Sequence, residues 1–290
     1  MDTRQYTRIS TIELHTEILN SIIASQLSYL NPDILFDKWD RYNNTAPVNP
    51  TDTSYYSIKE NIINTFLFNT KKPIYYDANM NDSKTLDAQM VIFIKDDICY
   101  IAFRGTSSLT DVIYDLEGFQ TSIIEDKTVK VHKGFYIQFL ALKDWIDEIL
   151  KTLKYDKIIF TGHSAGGAIA TIAASVYSLN KQLKEITCIS FGSPRVGNLH
   201  FKSFFTNNVK NHYRITNSHD EVPLLPFLPG YYHVSDAYHI QNDTLFRQTG
   251  DLHLIYRIFN FLYDLRKPIY YHSYDLYIQN ILKLINSTSA

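Results

Sequence analysis

The chain has 290 residues, a formal net charge of −2, 45% hydrophobic residues and 20% charged residues. That length suits one large α/β domain, and the composition supports a sizeable core. The charge balance lacks the basic field that nucleic acid demands, and the acidic residues do not gather into a tail, so a nucleic-acid partner is excluded.

The opening stretch, MDTRQYTRISTIELHTEIL, carries charges throughout and no apolar leader core, which reads as a cytoplasmic chain. Residues 11–30 place Ile12, Leu14, Ile18, Leu19, Ile22 and Ile23 at the spacing of an amphipathic helix. Residues 31–58 are rich in Asn, Pro, Asp and Thr and read as surface loop. Residues 1–60 thus form an N-terminal helix and loop extension, and 61–290 the main domain. Two apolar runs, AQMVIFIKDD and DDICYIAFRG, are joined at Lys95–Asp97 as a strand hairpin.

Residues 135–153 set Phe135, Phe139, Leu142, Ile146, Ile149, Leu150 and Leu153 at helical spacing. KYDKIIFTGHS then reads as strand into turn, and GGAIATIAASVYSL as a helix of small residues. KEITCISFGSPRVGN is a second strand ending at Gly192, and NHYRITNSHDEVP a third, stopped by Pro223. Alternating strands and helices predict a mostly parallel central sheet with crossover helices. Cys99 and Cys188 sit in apolar runs and read as buried free thiols. The late stretch LHLIYRIFNFLYDLR is interrupted by Arg257 and Asp264, so no transmembrane segment is expected.

The chemistry starts at FTGHSAGGAIA, residues 160–170. A serine at a sharp strand-to-helix turn is held in a strained conformation, and glycine two positions to either side removes the clash of strand with helix. Gly162 and Gly166 flank Ser164 in this way. The turn aims the unpaired N–H groups of the following helix at the hydroxyl, and the N–H of Ala165 is the first oxyanion donor. A serine hydroxyl needs a histidine base and an acid to orient that base. Asp220 lies at the carboxyl end of an apolar strand, where open α/β sheets keep their sites, with Glu221 as its rival. The later histidines His233, His239, His253 and His272 are candidates for the base, and His272 stands just before the last helix.

These segments resemble the class 3 (fungal-type) lipases of the α/β-hydrolase superfamily, from about residue 85 to 280. FRGT at 103–106, VHKGF at 131–135, FGSPRVGN at 191–198, NSHDEVPLLP at 217–226, GYYHV at 230–234 and YYHSYDLY carry the likeness, in the family's order. The resemblance implies an α/β-hydrolase fold with helices on both faces of the sheet. It also implies a triad of Ser164, Asp220 and His272, and a second oxyanion donor at Thr106. The family commonly has leucine where this chain has Ala165. After Thr106, Leu109, Val112, Ile113 and Leu116 form one apolar helical face. By position this segment resembles the family's lid; the alternative is an ordinary packing helix. Exposing those four side chains costs about 1.5–3 kcal/mol each in water, a penalty that a lipid surface removes.

The expected function is a serine carboxylic-ester hydrolase, a lipase acting on acylglycerols or phospholipids. No metal or organic cofactor is expected. The partners are a lipid or small ester substrate, with transient contact to a lipid surface. An acyltransferase on the same triad, and a non-catalytic lipid-binding protein retaining the fold, are the alternatives.

Overall fold

The computed structural model describes residues 12–48, 52, 54–78, 87–106, 119–180, 182–241, 244–248 and 270–288. Helix α1 (Ile12–Leu27) lies where the apolar spacing puts it. The next stretch corrects the expectation of loop. It carries α2 (Pro32–Tyr42) and the start of α3 (Tyr55–Leu67), and residue 60 falls inside α3. The residues that suggested loop are helix-start signals. The Asn31 side chain accepts a hydrogen bond from Ile34 N–H at 2.9 Å, Pro32 opens the helix and Asp33 sits in its first turn. Ser54 caps α3 likewise, accepting from Ser57 N–H at 3.4 Å.

Strand β1 (Ile74–Asp77) pairs antiparallel with β2 (Gln89–Lys95), and β2 pairs antiparallel with β3 (Ile98–Phe103) as the expected hairpin. Its turn residues Asp96 and Asp97 have φ of 49° and 58°, the twist of a two-residue hairpin loop. A separate small ribbon joins β4 (Gln120–Ser122) to β5 (Lys130–His132). The long helix α4 (Lys133–Thr152) follows, then β6 (Lys157–His163), α5 (Ala165–Tyr177) and β7 (Glu185–Phe191). Helix α6 (Leu199–Asn208) leads to β8 (Asn211–Asn217); β9 (Ala237–Gln241), β10 (Thr244–Gln248) and α7 (Tyr274–Thr288) complete the described elements.

The main sheet has the order β1-β2-β3-β6-β7-β8-β9-β10. Its centre, β3-β6-β7-β8-β9, is parallel, and its flanks are antiparallel. Successive side chains on a strand face opposite ways, so each strand feeds two cores. Ile158 and Phe160 of β6 pack with Phe139 and Leu142 of α4, Ile169 and Ile172 of α5, and Phe201 of α6. Ile159, one residue out of phase, packs with Ile22 and Ile23 of α1, Phe66 of α3, and Tyr277 and Ile281 of α7. Helices therefore cover both faces, which is the α/β-hydrolase arrangement. Cys99 and Cys188 are buried and free. Among the described residues, no helix is long and apolar enough to cross a membrane.

Candidate active site

Ser164 stands at the carboxyl end of β6, between the strand and α5. Its backbone has φ 59° and ψ −130°, a positive-φ conformation that a residue with a Cβ adopts only under strain. Two hydrogen bonds hold the turn: Ser164 N–H donates to Phe191 O at 2.9 Å, and Gly167 N–H donates to Ser164 O at 3.0 Å. A methyl group at 162 would collide with the backbone of Gly166, and one at 166 with the carbonyl of Phe103. The two glycines thus let α5 run tight against the sheet. Ala165 is buried as the first residue of α5, where N–H groups have no partner within the helix.

Thr106 is half-buried and follows Gly105. A Cβ built on Gly105 would lie 3.2 Å from Ser164 Cβ, so this backbone passes directly beside the serine. The lid candidates Leu109, Val112, Ile113 and Leu116 lie outside the described residues.

Asp220 and His272 come together from distant parts of the chain. Asp220 sits three residues beyond β8, and His272 just ahead of α7. His272 Nδ1 lies 3.0 Å from Asp220 Oδ2 and 3.1 Å from Oδ1. A carboxylate only accepts, so Nδ1 carries a proton, and in the neutral ring that tautomer leaves the lone pair on Nε2. Asp220 is fully buried and accepts two further hydrogen bonds, from Val222 N–H at 3.0 Å and from Tyr277 Oη–H at 2.6 Å. Among the described residues, the buried His272 Nε2 has no hydrogen-bond partner, so no bond links it to Ser164. Gly192 lies against the Asp220–His272 pair itself: a Cβ there would lie 2.8 Å from Asp220 Oδ2 and 2.9 Å from His272 Cε1.

The rival histidines are held elsewhere. His233 Nε2 lies 2.6 Å from Pro223 O, and His239 Nδ1 is 2.9 Å from Thr216 Oγ1 on the sheet. His253 is outside the described residues. Glu221 adjoins Asp220, yet the Asp220 carboxylate is the one that meets His272.

Sequence reasoning missed Tyr277 and His163. Tyr277 binds Asp220 and also accepts from Asn217 N–H at 3.1 Å. Burial, and then the Asp220 charge, push its hydroxyl pKa well up, so it remains a neutral donor. One tyrosine among 22 offered no signal beyond its place in YYHSYDLY. His163 precedes the nucleophile candidate, and its Nε2 lies 2.6 Å from the carbonyl of His272.

Residues 100–229 match a family model described as Lipase (class 3). The chain is similar to the secreted mono- and diacylglycerol lipase 1 of Fusarium solani, 42% identical over 90 residues, which are 31% of this chain and 26% of that protein. It is also similar to the secreted mono- and diacylglycerol lipase A of Penicillium cyclopium, 32% identical over 145 residues, 48% of this chain and 47% of that one. The chain thus spans less than half the length of either relative. Among solved structures, a Rhizomucor miehei triacylglyceride lipase superposes with a TM-score of 0.66 at 25% identity, covering 83% of this chain and 87% of that one. These relatives correct the cytoplasmic reading, because both curated lipases are secreted. That reading rested on the charged character of residues 1–19, which does not report a compartment.

Proposed function

With residues 100–229 belonging to the class 3 lipase family of the α/β-hydrolase superfamily, we propose that the chain is a serine carboxylic-ester hydrolase acting on lipid esters outside the cell. Ser164 attacks the ester carbonyl. His272 Nε2 takes the serine proton and returns it to the leaving alcohol, and water then releases the acyl group by the same route. Asp220 fixes the tautomer of His272 and stabilises the imidazolium. The N–H groups of Ala165 and Thr106 hold the oxyanion, each worth about 3–4 kcal/mol of transition-state stabilisation. Acylglycerols are the favoured substrates, by the names of the relatives.

The observation that carries this reading is the oriented pair: His272 Nδ1 on Asp220, with the buried Nε2 unpaired among the described residues. A fluorophosphonate probe should label the protein, and Ser164→Ala should abolish the label. A labelled alanine variant sinks the assignment. An ester panel of graded acyl length, run above and below substrate solubility, then separates a lipase from an esterase; a rate unaffected by a lipid–water interface argues for the latter.

A further inference from the structure

The residue just before the candidate nucleophile is tied to the backbone of the candidate base. His163 Nε2 lies 2.6 Å from the carbonyl oxygen of His272. A carbonyl cannot donate, so Nε2 carries a proton. The other nitrogen, Nδ1, lies 3.1 Å from the hydroxyl of Tyr29, the second residue beyond α1. Burial, and then the nearby His272, hold the His163 pKa well below the usual histidine range, so the ring is neutral and Nδ1 accepts from Tyr29. A Cβ on Gly105 would collide with the Tyr29 hydroxyl, so the chain beside Ser164 leaves room for this contact. The His163 and His272 rings are 4.5 Å apart, and Tyr274 and Tyr277 meet His163 edge-on.

We propose that His163 is a positioning residue for His272, and that Tyr29 fixes the His163 tautomer that makes the bond. This rests on the reading of Ser164 and His272 as nucleophile and base. Asp220 holds one end of the His272 imidazole, and His163 holds its main chain. Two anchors on opposite sides of the Cα define where Nε2 lies, while one alone leaves the ring free to swing. It also gives a task to the segment that follows α1, which no other part of the site assigns. A histidine that merely fills space would need only its volume. The hydrogen bonds need a donor at the Nε2 position.

The test compares His163→Leu, His163→Gln and Tyr29→Phe with the wild type, by kcat and KM on a soluble ester and by the rate of fluorophosphonate labelling. Glutamine keeps a donor near the Nε2 position, whereas leucine keeps only bulk. His163→Leu should lose about 10- to 100-fold in kcat and in labelling rate, with KM unchanged, as expected for an angstrom-scale misplacement of the base. His163→Gln should recover most of that loss. Leucine at wild-type rates, leucine and glutamine equally impaired, or a change in KM alone would each overturn the proposal. Should His163→Leu not fold, Tyr29→Phe decides, because it keeps the ring: a lower kcat at constant KM supports the relay, and an unchanged kcat removes it. Failure of the wild type to label at Ser164 is a separate result, which overturns the functional reading and the relay with it.

Discussion

Gly192 offers a sharp test of the acid–base pair. It has φ +57°, and an added Cβ would lie 2.8 Å from Asp220 Oδ2, 2.9 Å from His272 Cε1 and 3.0 Å from His272 Nδ1. Ordinary contacts of carbon lie at about 3.5–4.0 Å, so Gly192→Ala must displace one partner by about 0.5–1 Å. Asp220 is pinned by Tyr277 and by Val222 N–H, so the imidazole is the part that yields. A shift of that size costs about 100-fold in kcat, and complete loss of the orienting bond about 10⁴-fold, which brackets the expectation. The backbone adds about 1–2 kcal/mol of strain for leaving glycine in the left-handed region. Gly230→Ala separates the two effects. Gly230 has φ +90°, but its nearest neighbour, Gln120 Nε2, is 4.0 Å away. Both variants should lose stability in urea unfolding, Gly192→Ala the more because of its clash, and only Gly192→Ala should lose kcat on a soluble ester. Equal kcat for the two folded variants would refute the placement of the pair.

Three other perturbations bear on the same structure. His132 is buried, neither ring nitrogen has a partner among the described residues, and burial lowers its pKa to about 4. The unfolded chain therefore takes the proton first as pH falls, so stability is complete above about 6.5 and declines toward 4, by on the order of 3 kcal/mol. His132→Phe should flatten that slope in urea titrations at several pH values; an unchanged slope assigns the loss to other groups. Tyr277→Phe removes a donor from Asp220 and orphans Asn217 N–H, and should cost about 1.5–3 kcal/mol in unfolding free energy, a reading that an unshifted midpoint contradicts. Asn31→Ala should cost about 1 kcal/mol through the lost α2 cap, and no cost at all would show the cap to be idle.

The strands and the elbow were legible because their signals are local. Alternating apolar runs mark β2, β3, β6 and β7, and the two glycines around Ser164 state their own steric reason. The segment 31–58 misled because Asn, Pro, Asp and Ser serve turns and helix starts alike, and only the capping bonds of Asn31 and Ser54 distinguish the two. At the site, Asp220 and His272 could be ranked from order and family likeness, but their meeting joins positions 52 apart in the chain. The contacts of Tyr277, Tyr29 and His163 left no trace in composition or spacing. They arise because α1 and α7 settle on one face of the sheet, and which side chains then touch is decided by packing.

The recognised span, 100–229, holds Ser164 and Asp220 but neither His272 nor α1 nor α7. Excised as a fragment, it would bare the side of the sheet that Ile22, Phe66 and Tyr277 cover, and would carry an alcohol and an acid with no proton acceptor between them. On the proposed reading, α1 and α7 are both needed to close the reaction centre. Fusions or circular permutations that leave α1 and α7 seated should keep activity, whereas trimming to the recognisable region should yield insoluble, inert protein.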